Sequence, residues 1–173
     1  MISFQESIYY LLKHAIKVDK SPFNSFLELG ATKGSVSNNL ADIFNLVESV
    51  DIVPEATTST KIKFYNMTTD EYFKQNTNTF DSIFIDADHE YNQVLKDFRN
   101  SLNILNSGGI IFLHDTDPVE ESFTRPNLCG DSWKVIDIIE EEYDLDLITL
   151  PIAYPGLTIV QRKLDRRVYQ WQK

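Results

Sequence analysis

Two stretches of this sequence carry residue types whose spacing could do chemistry. The first is Phe26-Leu27-Glu28-Leu29-Gly30-Ala31-Thr32-Lys33-Gly34, followed by Asp51, twenty-one residues beyond Gly30. An apolar run ends in an acid and a glycine, and a second glycine opens the next segment. A further apolar run, 46–50, also ends in an acid. An open α/β sheet builds a nucleoside pocket in this way. Gly30 permits a tight turn, and Gly34 lets backbone approach a ligand closely. Asp51 can accept both hydrogen bonds of a ribose diol. The plain alternative is a strand–turn–helix corner, with Asp51 as a helix N-cap or turn residue.

The second stretch is Asp86-Ala87-Asp88-His89, paired with His114-Asp115-Thr116. Each follows an apolar run that reads as a strand. Adjacent parallel strands lie about 4.8 Å apart, so Asp86, His114 and Asp115 could reach one ion. Mixed carboxylate and imidazole donors suit Mg²⁺, Mn²⁺ or Fe²⁺ better than a thiolate-loving metal. His89 titrates near neutral pH and could move a proton. Asp88 could orient His89 or act as the base itself. The plain alternatives are that His89 caps the helix beginning near Glu90, and that His114 is a hydrogen-bonded strand-end residue. Asp86 and Asp115 need partners, because acids at the ends of apolar strands lose hydration.

The spacing Glu28-x-Gly30-x-x-x-Gly34 is not the Gly-x-Gly-x-x-Gly of dinucleotide enzymes. A loop with few exposed amides suits a ligand without a pyrophosphate, such as S-adenosylmethionine (SAM). The first stretch resembles motif I and the following acid of class I SAM-dependent methyltransferases. Over Phe84 to Asp117 the chain resembles metal-dependent O-methyltransferases of the catechol and caffeoyl-CoA type. It is still more similar to small bacterial and phage methyltransferases related to sugar O-methyltransferases. The likeness runs from about Phe26 to Gln161.

That resemblance implies roles. Glu28, Gly30 and Gly34 would line the methionine end of SAM, and Asp51 would hold the ribose. Ile52 would pack on the adenine, with Met67 and Thr68 near its edge. In the family the first Asp of Ile-Asp-Ala-Asp binds the metal, which carries over to Asp86, also a candidate cofactor contact. The residue three positions on is a Lys or His base, which carries over to His89. The strand-five ligands of the family are Asp-Asn or Asp-Asp. This chain has His114-Asp115 there, so the metal differs, or His114 is not a ligand, or the metal has been lost. The cation would lower the pKa of a substrate hydroxyl, and His89 would take its proton. The expected reaction is methyl transfer to a hydroxyl of a small, polar acceptor, a glycosyl group among the candidates. Rivals are a metal-independent methyltransferase, a non-catalytic SAM-binding sensor or accessory subunit, and a pocket for another nucleotide.

Composition sets bounds. With 173 residues, 42% hydrophobic, the chain suits a single domain over 1–173. The formal charge of −10 argues against a nucleic-acid backbone as partner. The lone Cys129 excludes an internal disulfide and fits a reducing compartment; a thiol nucleophile there is a weak alternative. No apolar run reaches membrane-spanning length and no leader pattern opens the chain, so a cytoplasmic protein without membrane contact is expected. The resemblance makes a homodimer reasonable.

The elements that must position these residues follow from periodicity. Ile8, Leu11, Leu12, Ala15 and Ile16 predict a helix within an N-terminal segment 1–20. Strands are expected near 25–29, 46–51, 61–65, 81–86, 110–113, 146–150 and 157–161. Helices are expected over 35–44, 70–74, 91–105 and 133–143. Asn106-Ser107-Gly108-Gly109 should cap the third of these. The loop 116–132 is long enough to be a lid, with Arg125 as an anion clamp and Asp131 or Ser132 as the next N-cap. A tail covers 163–173. Alternating strands and helices imply a parallel sheet. The short 150–156 connection implies an antiparallel last strand. The expected fold is α/β, a Rossmann-like, seven-stranded, mostly parallel sheet with helices on both faces.

Overall fold

A computed structural model of the chain describes residues 24–31, 35–54, 59–151 and 155–163. The expected N-terminal helix, Gly34, and residues 164–173 of the tail lie outside the described residues. Seven strands form one sheet: β1 Ser25–Leu29, β2 Leu46–Asp51, β3 Ile62–Asn66, β4 Phe80–Ile85, β5 Leu105–His114, β6 Leu145–Leu150 and β7 Leu157–Arg162. Its order is β3-β2-β1-β4-β5-β7-β6. Strands β3 through β5 run parallel, and β7 is antiparallel to both β5 and β6. The described α-helices are α1 Ser35–Leu40, α2 Thr69–Gln75, α3 Tyr91–Ile104 and α4 Val135–Glu142. Among the described residues no helix is long and apolar enough to cross a membrane.

The sheet is covered on both faces, and alternation along the central strands decides which side each residue serves. Leu27, Leu29, Ile83, Ile85, Ile111 and Leu113 join Tyr72, Phe98 and Ile139 in one core cluster. Phe26, Phe84 and Phe112 join Val36, Leu40 and Phe44 in the other. All five residues of β1 are buried. The strand order reverses around β1 and β4, and a ligand crevice opens there, beyond the carboxyl ends of the strands.

Two expectations are corrected. No glycine cap ends α3: Leu105 is already extended, and β5 starts at that residue. The pairing of β4 with β5 jumps from Phe80–Leu105 to Ser82–Ile110, so Asn106 to Gly109 form an irregularity inside the strand. Gly108, at φ +79°, supplies its bend. Asp131 does not cap the helix that follows it. Its Oδ1 accepts the Tyr91 N–H at 2.6 Å, capping α3 instead. The Asp131 N–H also donates to the His89 carbonyl at 3.0 Å. The loop 116–132 is therefore stitched to the His89 segment. It holds a 3-10 turn, Glu121–Thr124.

Candidate active site

The strand ends bring most of the predicted residues to one rim. Gly30 follows β1 with φ +86°, and its N–H donates to the Val50 carbonyl at 2.9 Å. A Cβ there would lie 2.0 Å from the Asp86 carbonyl oxygen. The glycine is thus what lets β1 turn directly against the end of β4. The Asp86 N–H in turn donates to the Leu29 carbonyl at 2.8 Å.

A crevice of about 240 Å³ lies beyond β1, β2 and β3, lined by Gly30, Asp51, Ile52, Met67, Thr68 and Asp88 among others. The Asp51 Oδ1 accepts the Val53 N–H at 2.8 Å, which holds the carboxylate in a tight turn at the strand end. Ile52 is 68% exposed, an apolar side chain offered to the crevice. Thr68 caps α2 through a reciprocal pair with Glu71, so this wall is anchored to a helix start.

Glu28 is not among the lining residues. It shares a sheet face with Phe26, which turns it toward α1 rather than the rim. Its carboxylate accepts from the Ser37 N–H at 3.2 Å and from the Ser49 hydroxyl at 3.3 Å. Burial pushes its pKa up to about 7, while those hydrogen bonds restrain the rise.

A second cavity, about 480 Å³, adjoins the first through Ala87. Asp86, His89, His114 and Asp115 line it on one side; Phe123, Leu128, Cys129 and Pro155 give it an apolar wall. His89 Nε2 lies 3.0 Å from Asp115 Oδ2 and 3.6 Å from Asp86 Oδ1. His114 Nδ1 lies 3.1 Å from Asp86 Oδ1 and 3.2 Å from Asp115 Oδ1. Asp115 reaches both rings because its backbone is left-handed, at φ 60°.

Electrostatics follow from that square. Hydrogen bonds to Asp115 and Asp86 outweigh burial and raise the His89 pKa to about 10. Burial opposes the proton on His114, but Asp86 prevails and its pKa also rises. Burial likewise works against the Asp86 anion, and His114 and His89 hold its pKa below the usual range. The carboxylates thus favour the protonated form of both rings, most strongly at His89. Asp88 stands apart: its Oδ1 accepts the Glu90 N–H at 2.9 Å, and it lines the crevice.

Asp86, His114 and Asp115 place ligand atoms within 4.8 Å of one another. Two carboxylates and an imidazole at that spacing fit a divalent cation. Sequence reasoning missed Gln93 and Asp70, which also line the crevice. They read as the solvated faces of amphipathic helices, and no local signal marks them.

No curated protein matches the chain in sequence. Solved structures share its fold. The SAH-bound methyltransferase PaMTH1 of Podospora anserina superposes with TM-score 0.72 at 17% identity, covering 92% of this chain and 78% of that one. The SAH complex of an O-methyltransferase from Bacillus cereus gives 0.65 at 16%, covering 91% and 81%. The N-methyltransferase NodS of Bradyrhizobium japonicum WM9 gives 0.61 at 16%, covering 92% and 97%. A family described as a methyltransferase domain matches residues 13–116, more than half of the chain. By that match over more than half of its length, this chain belongs to the methyltransferase-domain family.

Proposed function

We propose that the protein transfers the methyl group of SAM to a hydroxyl of a small polar, glycosyl-like acceptor, assisted by a divalent cation. One observation carries the reading. The crevice holding Asp51 and the cavity holding Asp86, His89, His114 and Asp115 meet at Ala87. A nucleoside in the first would direct its sulfonium toward the second.

Asp51 accepts the ribose hydroxyls, and Ile52 and Met67 provide apolar faces for the adenine. The acceptor enters between the charged cluster and the apolar wall of Phe123 and Leu128. Asp86, His114 and Asp115 would hold the cation, Mg²⁺ or Mn²⁺, which when bound would supply positive charge that lowers the pKa of an acceptor hydroxyl. His89, within 3.0 Å of Asp115 and 3.6 Å of Asp86, would take the acceptor's proton once those carboxylates are otherwise engaged. The new C–O bond forms as the S–CH₃ bond breaks, leaving S-adenosylhomocysteine. Transfer is in line, so much of the rate comes from positioning.

A second reading is transfer without a cation. The closed His–Asp square supports it, since each ring already lies within 3.1 Å of a carboxylate oxygen. Asp88, whose carboxylate accepts only from the Glu90 N–H among the described hydrogen bonds, is then the base. Titration calorimetry with SAM, with and without Mg²⁺ or Mn²⁺, tests the cofactor. Methyl transfer from labelled SAM, with and without chelator, then separates the two readings. Micromolar SAM binding without any transfer would instead point to a non-catalytic SAM-binding protein.

A further inference from the structure

Gln93 of α3 lines the nucleoside crevice, yet its amide nitrogen is committed inward. Nε2 donates to Thr69 Oγ1 and Asp97 Oδ1, each at 3.1 Å, and lies 3.4 Å from Asp70 Oδ1. A carbonyl oxygen in that place would face two carboxylates, so chemistry fixes which end of the amide points inward. Among the described residues Gln93 Oε1 makes no hydrogen bond. Asp97, one helical turn on, is fully buried, and its Oδ2 has no hydrogen-bond partner. Burial pushes its pKa up to about 6, with hydrogen bonds from Thr69 and Gln93 favouring the anion. Tying α2 to α3 needs no buried acid. Aiming an amide does, because carboxylate oxygens on the inner side oppose the flipped orientation.

Met67 and Thr68, on the purine side of the crevice, lie on its rim with Gln93. A 6-aminopurine offers a donor N–H₂ at its edge, and a 6-oxopurine offers an acceptor there. We propose that Gln93 Oε1, aimed by Asp97 and Thr69, accepts from the purine 6-amino group and selects adenosyl over 6-oxopurine nucleosides. The inference rests on the SAM reading above. Gln93 is the specificity-determining contact; Asp97 is a positioning residue that acts through it.

The test is calorimetric titration of the full chain with S-adenosylhomocysteine and with S-inosylhomocysteine. The wild type should prefer the adenosyl ligand by about tenfold or more, the value of one hydrogen bond gained and one repulsion avoided. Gln93→Leu should weaken adenosyl binding and modestly tighten inosyl binding, so that the two affinities converge. Asp97→Asn supplies the second reading, being nearly isosteric and usable if Gln93→Leu fails to fold. It frees the amide to turn, so the preference should narrow. Equal wild-type affinities would overturn the inference. So would variants that weaken both ligands alike and keep the preference, the outcome expected of a helix clamp alone. If the wild type binds neither ligand, the SAM reading falls too; if it binds both and only the preference is untouched by the variants, the SAM reading survives.

Discussion

His89 Nε2 and Asp115 Oδ2 are 3.0 Å apart, and the backbone of Asp115 is left-handed at φ 60° to bring them together. An aspartate tolerates that conformation better than most residues, at a cost of about 1 kcal/mol. The bend lets one carboxyl face two rings. Its consequence is a histidine that keeps its proton far above the ordinary pH. In chelator-treated protein, the His89 ring should titrate near 10 by NMR. Asp115→Asn should bring it back toward 6.5. The folded pKa is raised, so this pair's stabilisation is complete below about 6.5 and is lost as pH rises through 10. A wild-type midpoint near 6.5 would contradict the geometry.

The cation assignment predicts a different loss. Mn²⁺ binding, followed by its EPR signal, should disappear in Asp86→Asn and Asp115→Asn. It should weaken in His114→Ala, because a carboxylate pair remains to hold a hard ion. Wild-type binding unchanged in Asp86→Asn would place the ion elsewhere.

Asp51 has one observed contact and one proposed one, which a single variant cannot separate. Its Oδ1 closes the turn onto the Val53 N–H. Asp51→Asn keeps that acceptor and gives up one of the two presented to a ribose diol. SAM affinity should fall roughly tenfold in Asp51→Asn and further in Asp51→Ala, with a smaller change in turnover. Unaltered affinity in both variants would sink the ribose assignment.

The centre of the sheet was legible because β1, β2, β4 and β5 are apolar runs with acids at or beside their carboxyl ends, a pattern that survives without knowledge of partners. What escaped depended on residues far apart in sequence. Asp131 is an acid before a helix and reads as that helix's cap, but its partner is the Tyr91 N–H, forty residues earlier. Gln93 and Asp97 read as polar positions on an amphipathic helix; only the packing of α2 against α3 buries Asp97 completely. Glu28 shows a missed local signal. It is two residues from Phe26, so both face α1, and strand alternation alone would have turned it off the rim.

Glu28 offers a pH signature for the fold. Its folded pKa of about 7 stands above the ordinary 4.5 because it is buried. Stability from this group is therefore full below about 4.5 and is lost as pH rises through 7. The loss is at most about 3 kcal/mol. Urea unfolding at pH 5 and pH 8 should show Glu28→Gln losing less stability across that interval than the wild type. Asp97, raised to about 6, declines over a lower window and is common to both proteins. Identical losses would mean that Glu28 is ionised throughout.

Two glycines with similar dihedrals should respond unequally to alanine, and the difference isolates what Gly30 does. Gly108 has φ +79° with nothing within 4 Å of an added Cβ. Gly108→Ala should therefore cost only the left-handed strain, about 1–2 kcal/mol. Gly30 has φ +86°, but a Cβ would meet the Asp86 carbonyl oxygen at 2.0 Å and the Ala87 Cα at 2.5 Å. Those are backbone atoms and cannot swing aside as a side-chain tip can. Gly30→Ala must push the end of β4 away from β1, breaking the Asp86 N–H to Leu29 bond and displacing the Asp86 carboxylate. The expected cost is on the order of 4 kcal/mol, together with weakened Mn²⁺ binding that Gly108→Ala does not show. Denaturant midpoints of the two variants give the comparison directly. Equal destabilisation would mean that Gly30 serves its dihedral alone, and that the contact between the two strand ends is not what holds Asp86 at the cluster.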